Sequence, residues 1–110
     1  MRIKHIELGD FASHLGPRYR YLGEHSGEEF REEWLLPSVK ENDRVIVGLD
    51  SIKGYTSSFL EEAFGGLVRE LGYDAVRKKL QFLAVRRAYL IPLIESWMRD
   101  AAQEKPQRKR

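Results

Sequence analysis

Cysteine is missing from this chain, and proline and methionine are scarce, at four and two in 110 residues. Without cysteine there is no disulfide scaffold, no thiolate metal site and no thiol nucleophile. No apolar run approaches the roughly 20 residues that a membrane-spanning helix needs. The first residues, Met1-Arg-Ile-Lys-His-Ile-Glu7, mix charge and apolar groups too early for a secretory leader, so the expected compartment is the cytoplasm. Histidine is sparse as well. His5, His14 and His25 show neither HxH nor HExxH spacing, and no metal site is expected. Phosphate-binding GxxxxGK[ST] loops, GxGxxG fingerprints and GxSxG nucleophile elbows are all absent. With no nucleophile beside a base, the chain reads as non-catalytic and free of cofactors.

What is present is an ordinary globular composition, 42% apolar and 33% charged. The length suits one domain, which should bury roughly 65% of its unfolded surface. The net charge of +2 is uneven: residues 103–110 carry +3, leaving about −1 for the rest. The expected layout is therefore one α/β domain over 1–102 and a disordered basic tail over 103–110. Basicity confined to a tail argues against a nucleic-acid-binding face.

Residues 2–8 alternate as a first strand, and 9–25, with Gly9, Gly16-Pro17 and Gly23, form a long connection. Arg18 and Arg20 alternate there with Tyr19 and Tyr21, which fits a short strand. Ser26-Gly-Glu-Glu29 is a capping box opening a helix through Phe30 and Trp34, with Pro37 expected to end or kink it near Leu36. The β-branched run Val45-Ile46-Val47 within 44–50 predicts a central strand. Residues 56–71 form the next helix, with Leu60, Phe64, Leu67 and Leu71 at helical spacing and Thr56, Ser57 or Ser58 as its cap. Gly65-Gly66 inside it implies a close approach to the sheet or another helix. A short helix capped by Asp74, a strand over 80–85 and a helix over 88–102 follow, the last with Leu90, Leu93, Ile94, Trp97 and Met98 inward. The order predicts a small mixed sheet of about four strands with helices packed on it.

The most informative stretch is Val45-Ile-Val-Gly-Leu-Asp50-Ser-Ile-Lys-Gly-Tyr55-Thr56-Ser57-Ser58-Phe59: strand, glycine-containing loop, then serines at a helix start. A helix start offers unpaired N–H groups and the positive end of the dipole, so a phosphate there is favoured. Asp50 reads either as a loop-fixing carboxylate or as a binding group. Glu61 and Glu62 read as dipole stabilisers or as a partner surface. Arg18 and Arg20 read as solvated charges or as an anion clamp beside the Ser57 amides.

The run from Leu49 to Arg69, together with Gly16-Pro-Arg-Tyr19 and Ser26-Gly-Glu-Glu-Phe-Arg31, resembles the bacterial STAS-like domains of unknown function over roughly residues 1–100. These are related in fold to anti-sigma factor antagonists, in which the first serine of an Asp-Ser-Ser-Gly motif is phosphorylated by a kinase with a histidine-kinase-type ATPase fold. The resemblance implies a STAS-like fold and a regulatory role. It also implies Ser57 as phosphoacceptor, with Ser58 second, and a histidine-kinase-type ATPase as partner. Thr56 stands here for the aspartate and Phe59 for the glycine. On this reading Asp50, Tyr55, Thr56, Phe59 and Glu62 form the partner surface. The alternatives are a small-anion or nucleotide module built on Arg18 and Arg20, and a homodimer through exposed Tyr55 and Phe59.

Overall fold

In the computed structural model, which describes residues 1–104, strands β1 (Ile3–Glu7), β2 (Arg44–Gly48) and β3 (Leu80–Leu83) form one parallel sheet in the order β1-β2-β3. A short helix α1 (Leu8–Phe11) follows β1. Residues 27–41 form a continuous helix, α2, and residues 57–71 another, α3. Helix α4 (Tyr73–Lys79) leads into β3, and α5 (Leu90–Ala102) follows it. The residues of the basic tail beyond Glu104 lie outside the described part.

The sheet thus has three strands, all parallel, where a mixed sheet of about four was expected. The missing strand is the one sought around Arg18 and Arg20. That segment is tied to α2 instead: the Glu28 N–H donates to the Arg18 carbonyl at 3.0 Å, and the Glu28 carboxylate accepts the Arg20 N–H at 2.9 Å. Residues Arg20–Leu22 close as a single 3-10 turn. The connection pairs with the loop after β2 through an isolated bridge, His14 to Gly54.

Strand alternation sorts the sheet into two faces. Ile6, Val45, Val47 and Leu80 are buried beneath the helices. On the opposite face Ile3 and Leu83 are more than half exposed and His5 and Gln81 are exposed, so this parallel sheet is covered on one side only. The core is aromatic. Phe30 of α2 meets Phe59 and Phe64 of α3 with centroids 5.8 and 6.3 Å apart, and Phe64 packs edge-on against Phe82 of β3 at 5.2 Å. Such pairs add about 0.5–1.5 kcal/mol beyond the area they bury.

Pro37 neither ends nor sharply interrupts α2, which runs on to Glu41. The preceding turn, Arg31–Leu35, is a π turn in which the Leu36 N–H reaches back to the Arg31 carbonyl. The wider turn shifts the carbonyl ladder just ahead of a residue that can neither donate nor tolerate a normal i−4 carbonyl. In α5, Leu90, Ile94, Met98 and Ala101 are buried, whereas Leu93, expected inward, is 42% exposed. Asp74 makes no capping bond, because α4 starts directly from Gly72 at φ 91°.

Candidate functional site at the carboxyl end of the sheet

The carboxyl ends of parallel strands are where open α/β sheets place their ligands. Here that end is built by the loop 49–56, the start of α3 and the turn 84–89. Asp50 organises it. Its carboxylate accepts the backbone N–H of Val85 at 2.7 Å, of Arg87 at 2.9 Å and of Arg86 at 3.3 Å. The amides of Val85 and Arg87, foremost among these contacts, hold the Asp50 carboxyl below its ordinary range. The same capture of the Val85 N–H ends β3 at Leu83, two residues before the pattern predicted. Asp50 is therefore the loop-fixing carboxylate of the two readings left open.

On its other flank the loop is stitched to the long connection. The Lys53 N–H donates to the Ser13 carbonyl at 2.7 Å, and Leu15 N–H to the Gly54 carbonyl at 3.0 Å. Gly16 sits so close to Glu24 and His25 that an added Cβ would overlap the Glu24 carbonyl oxygen.

Thr56 is the cap of α3. Its hydroxyl accepts the Phe59 N–H at 3.0 Å and donates to the Gly16 carbonyl at 2.9 Å. Ser57 is exposed, Ser58 is half-buried, and among the described residues neither hydroxyl has a hydrogen-bond partner. The two roles expected of this segment are thus divided: threonine caps, serine is free. Thr56→Ala should cost about 1–2 kcal/mol and Ser57→Ala less than about 0.5 kcal/mol. Urea unfolding of both variants measures this, and an equal loss would show that Ser57 shares the capping.

Phe59, expected on the partner surface, is fully buried against Phe30 and Phe11 and belongs to the core. It opens a stripe Phe59, Leu60, Ala63, Phe64, Leu67 that is wider than the one read from Leu60 onward. A self-contact through Phe59 falls with it. Glu62 is also a structural residue, 7% exposed. It receives the Arg31 guanidinium, whose Nη1 donates both to its carboxylate and, at 3.0 Å, to its carbonyl oxygen. Arg31 Nε donates to Glu70 at 2.9 Å. Gly66 clears the way: a Cβ there would lie 2.5 Å from Arg31 Nη1. The glycine's close neighbour is thus a side chain of α2, not the sheet.

Arg18 and Arg20 are engaged by carboxylates and form no anion clamp. Arg18 Nη1 contacts Glu61 and, at 3.2 Å, Glu62. Arg20 bridges Glu32 at 3.0 Å and Glu33 at 2.9 Å. Arg69 reaches Glu61 at 2.8 Å and Glu104 at 3.0 Å. Burial opposes ionisation of Glu61, but hydrogen bonds from Arg69 and Arg18 outweigh it and hold the carboxyl below its ordinary value of 4.5. A lowered folded-state value stabilises the fold above that ordinary value, and the contribution disappears as pH falls through the lowered one. Thermal melts stepped downward in pH should therefore show an acid loss of stability that Glu61→Gln shares only in part. Parallel curves for the two proteins would remove Glu61 as its source.

Tyr55 is half-buried, with the Arg87 guanidinium 5.5 Å from its ring centroid and its hydroxyl 3.3 Å from that of Tyr89. The hydrogen bond between the two hydroxyls raises Tyr55 and lowers Tyr89 from the ordinary range. Arg86, Arg87 and Tyr89 were not singled out from the sequence. Two adjacent arginines immediately after a strand were the available signal.

With this geometry in hand, the family profile of the STAS-like domain of unknown function matches residues 26–86, more than half of the chain. The chain belongs to that family. The STAS-like match spans α2, β2, α3, α4 and β3, and so includes the serine rim and the first half of the turn that Asp50 holds. No curated protein and no solved structure matches the chain. No helix among the described residues is long and apolar enough to cross a membrane.

Proposed function

We propose that this STAS-like domain is a non-catalytic, cytoplasmic regulatory module. It binds a protein partner through the loop 50–57 and the start of α3 and is switched by phosphorylation of Ser57. The observation that carries the reading is the free, exposed Ser57 hydroxyl directly after a threonine that does the capping. A phosphate on Ser57 would add about −1.5 to −2 charges without removing the cap, where the first amides of α3 favour an anion. Glu61 one turn on is neutralised by Arg18 and Arg69, so repulsion from that side is reduced. A docked partner would meet the new charge directly. By the family resemblance the partner is a histidine-kinase-type ATPase.

The test uses an ATPase of that type encoded beside the gene, with ATP and magnesium. Mass spectrometry should place one phosphate on Ser57, with none transferred to Ser57→Ala. Calorimetry should then show the phosphorylated protein and Ser57→Asp binding the ATPase more weakly than the unmodified protein and Ser57→Ala. Equal affinity for all four forms would reject the switch at this residue.

A further inference from the structure

The arginines around α3 fall into two groups. Arg18, Arg20, Arg31 and Arg69 each contact at least one glutamate. Arg86, Arg87 and Lys53, at the carboxyl end of the sheet, contact no carboxylate through their charged heads among the described residues. Asp50 lies among them, but its oxygens take the backbone amides of residues 85–87. The guanidinium groups are held by neutral carbonyls instead: Arg86 Nη2 donates to Asp50 O at 2.6 Å, and Arg87 Nη2 to Ile52 O at 3.2 Å. Both heads are thus fixed in place while their charge stays available. Fixing them beforehand lowers the ordering cost of binding.

The same heads border aromatic and aliphatic surface. Arg87 stacks on Tyr55, Tyr55 bonds Tyr89, and Tyr89 and Val85 are 55% and 84% exposed. Exposed tyrosine and arginine next to one another are the residue types that carry most of the energy of protein contacts. Surface grooves of about 540, 470 and 470 Å³ lie elsewhere, at the β1 edge, between the ends of α3 and α5, and at the β3 edge. Exposed Tyr89 and Val85 beside these cations suit a segment that brings apolar side chains with its charge more than a small anion.

We infer that Lys53, Tyr55, Arg86, Arg87 and Tyr89 form a docking surface for an acidic segment of a partner protein, whose carboxylates pair with the two arginines and whose apolar side chains cover Tyr89 and Val85. The inference rests on the reading of the sheet's carboxyl end as a partner surface and names the chemistry of what binds there.

The probe is a short fluorescent peptide of glutamate and leucine, titrated into the full chain by anisotropy at several salt concentrations. Arg86→Gln with Arg87→Gln should weaken binding about tenfold, as should Tyr89→Ser, and affinity should fall steeply with salt. Arg77→Gln with Lys78→Gln, an exposed basic pair on α4, is the control and should change it less than about twofold. Melting curves confirm folding, and the single variant Arg86→Gln serves if the double variant does not fold, since among the described residues the Arg86 guanidinium hydrogen-bonds one exposed carbonyl. Equal losses in the control pair, unchanged binding in the Arg86/Arg87 variant, or tighter binding of ATP, inorganic phosphate or a single-stranded oligonucleotide would overturn the proposal. If the peptide assay fails while Ser57→Asp still weakens binding of the ATPase, the acidic-segment chemistry is wrong and the partner surface stands. If the peptide behaves as expected while the ATPase ignores Ser57, the docking surface stands without the switch.

Discussion

Arg31→Ala should lower the free energy of unfolding by up to about 3 kcal/mol, because it removes the guanidinium that donates to the buried Glu62 carboxylate and leaves that group only the longer contacts from Arg18 at 3.2 Å and Arg69 at 3.6 Å. The Arg31 side chain is 10% exposed and that of Glu62 9%. Glu70 and Glu32, the other carboxylates that reach Arg31, are each 43% exposed and can turn to water. The loss should therefore track Glu62. Replacing both members, Arg31→Met with Glu62→Leu, removes two buried charges together and should return stability to within about 1–2 kcal/mol of the parent. Urea denaturation of the two single variants and the double variant completes the cycle. A cost below about 1 kcal/mol for Arg31→Ala would mean that Arg18 and Arg69 suffice for Glu62 and that Arg31 does not hold the two helices together.

That ion pair also marks the limit of what the sequence discloses. Strand β2 and helix α3 were legible because each rests on a local pattern: a β-branched run and a period near 3.6. Ser26 was legible as a cap for the same reason, and its hydroxyl does accept the Glu29 N–H at 3.0 Å. Arg31 was not. A charged residue within a polar Glu-Glu-Phe-Arg-Glu-Glu run looks solvated until Glu62, thirty-one positions away, is placed against it. The π turns of α2 and α3 escaped for a related reason. They occur where the two helices meet, at Arg31–Leu35 and Glu61–Gly65, and answer to packing between elements.

At the carboxyl end of the sheet the sequence located the place but not its membership. Ser57 and Asp50 were found because a strand end and a helix start have fixed chemistry. Phe59 was misplaced because an aromatic beside the loop reads as a contact anchor, whereas the turn set by Thr56 directs it into the core. Arg18 and Arg20 were read as free because their glutamates lie on α2 and α3, and only the folded connection brings them within reach.

Gly27→Val should destabilise the protein by about 1–3 kcal/mol or more and weaken whatever binds the start of α3, although position 27 is far from Ser57 in the chain. Gly27 is the buried first residue of α2 and donates its N–H to the Pro17 carbonyl at 2.9 Å. An added Cβ would lie 2.5 Å from the Phe59 carbonyl oxygen and 3.1 Å from Glu62 Cβ. The first of these is main chain in the opening turn of α3 and cannot swing aside as a side chain would. Two effects compete in Gly27→Ala: alanine favours a helix by up to about 1 kcal/mol over glycine, while the contact opposes it. The contact should win, because relieving it requires moving one helix start away from the other, and those two starts carry the cap of Thr56 and the exposed hydroxyl of Ser57. Gly27→Ala should therefore unfold at lower urea than the parent, with valine lower still, and both should bind the acidic probe or the ATPase less tightly than their residual stability accounts for. An alanine variant more stable than the parent would show that the helix starts have room to separate, and that the serine rim is not positioned by this contact.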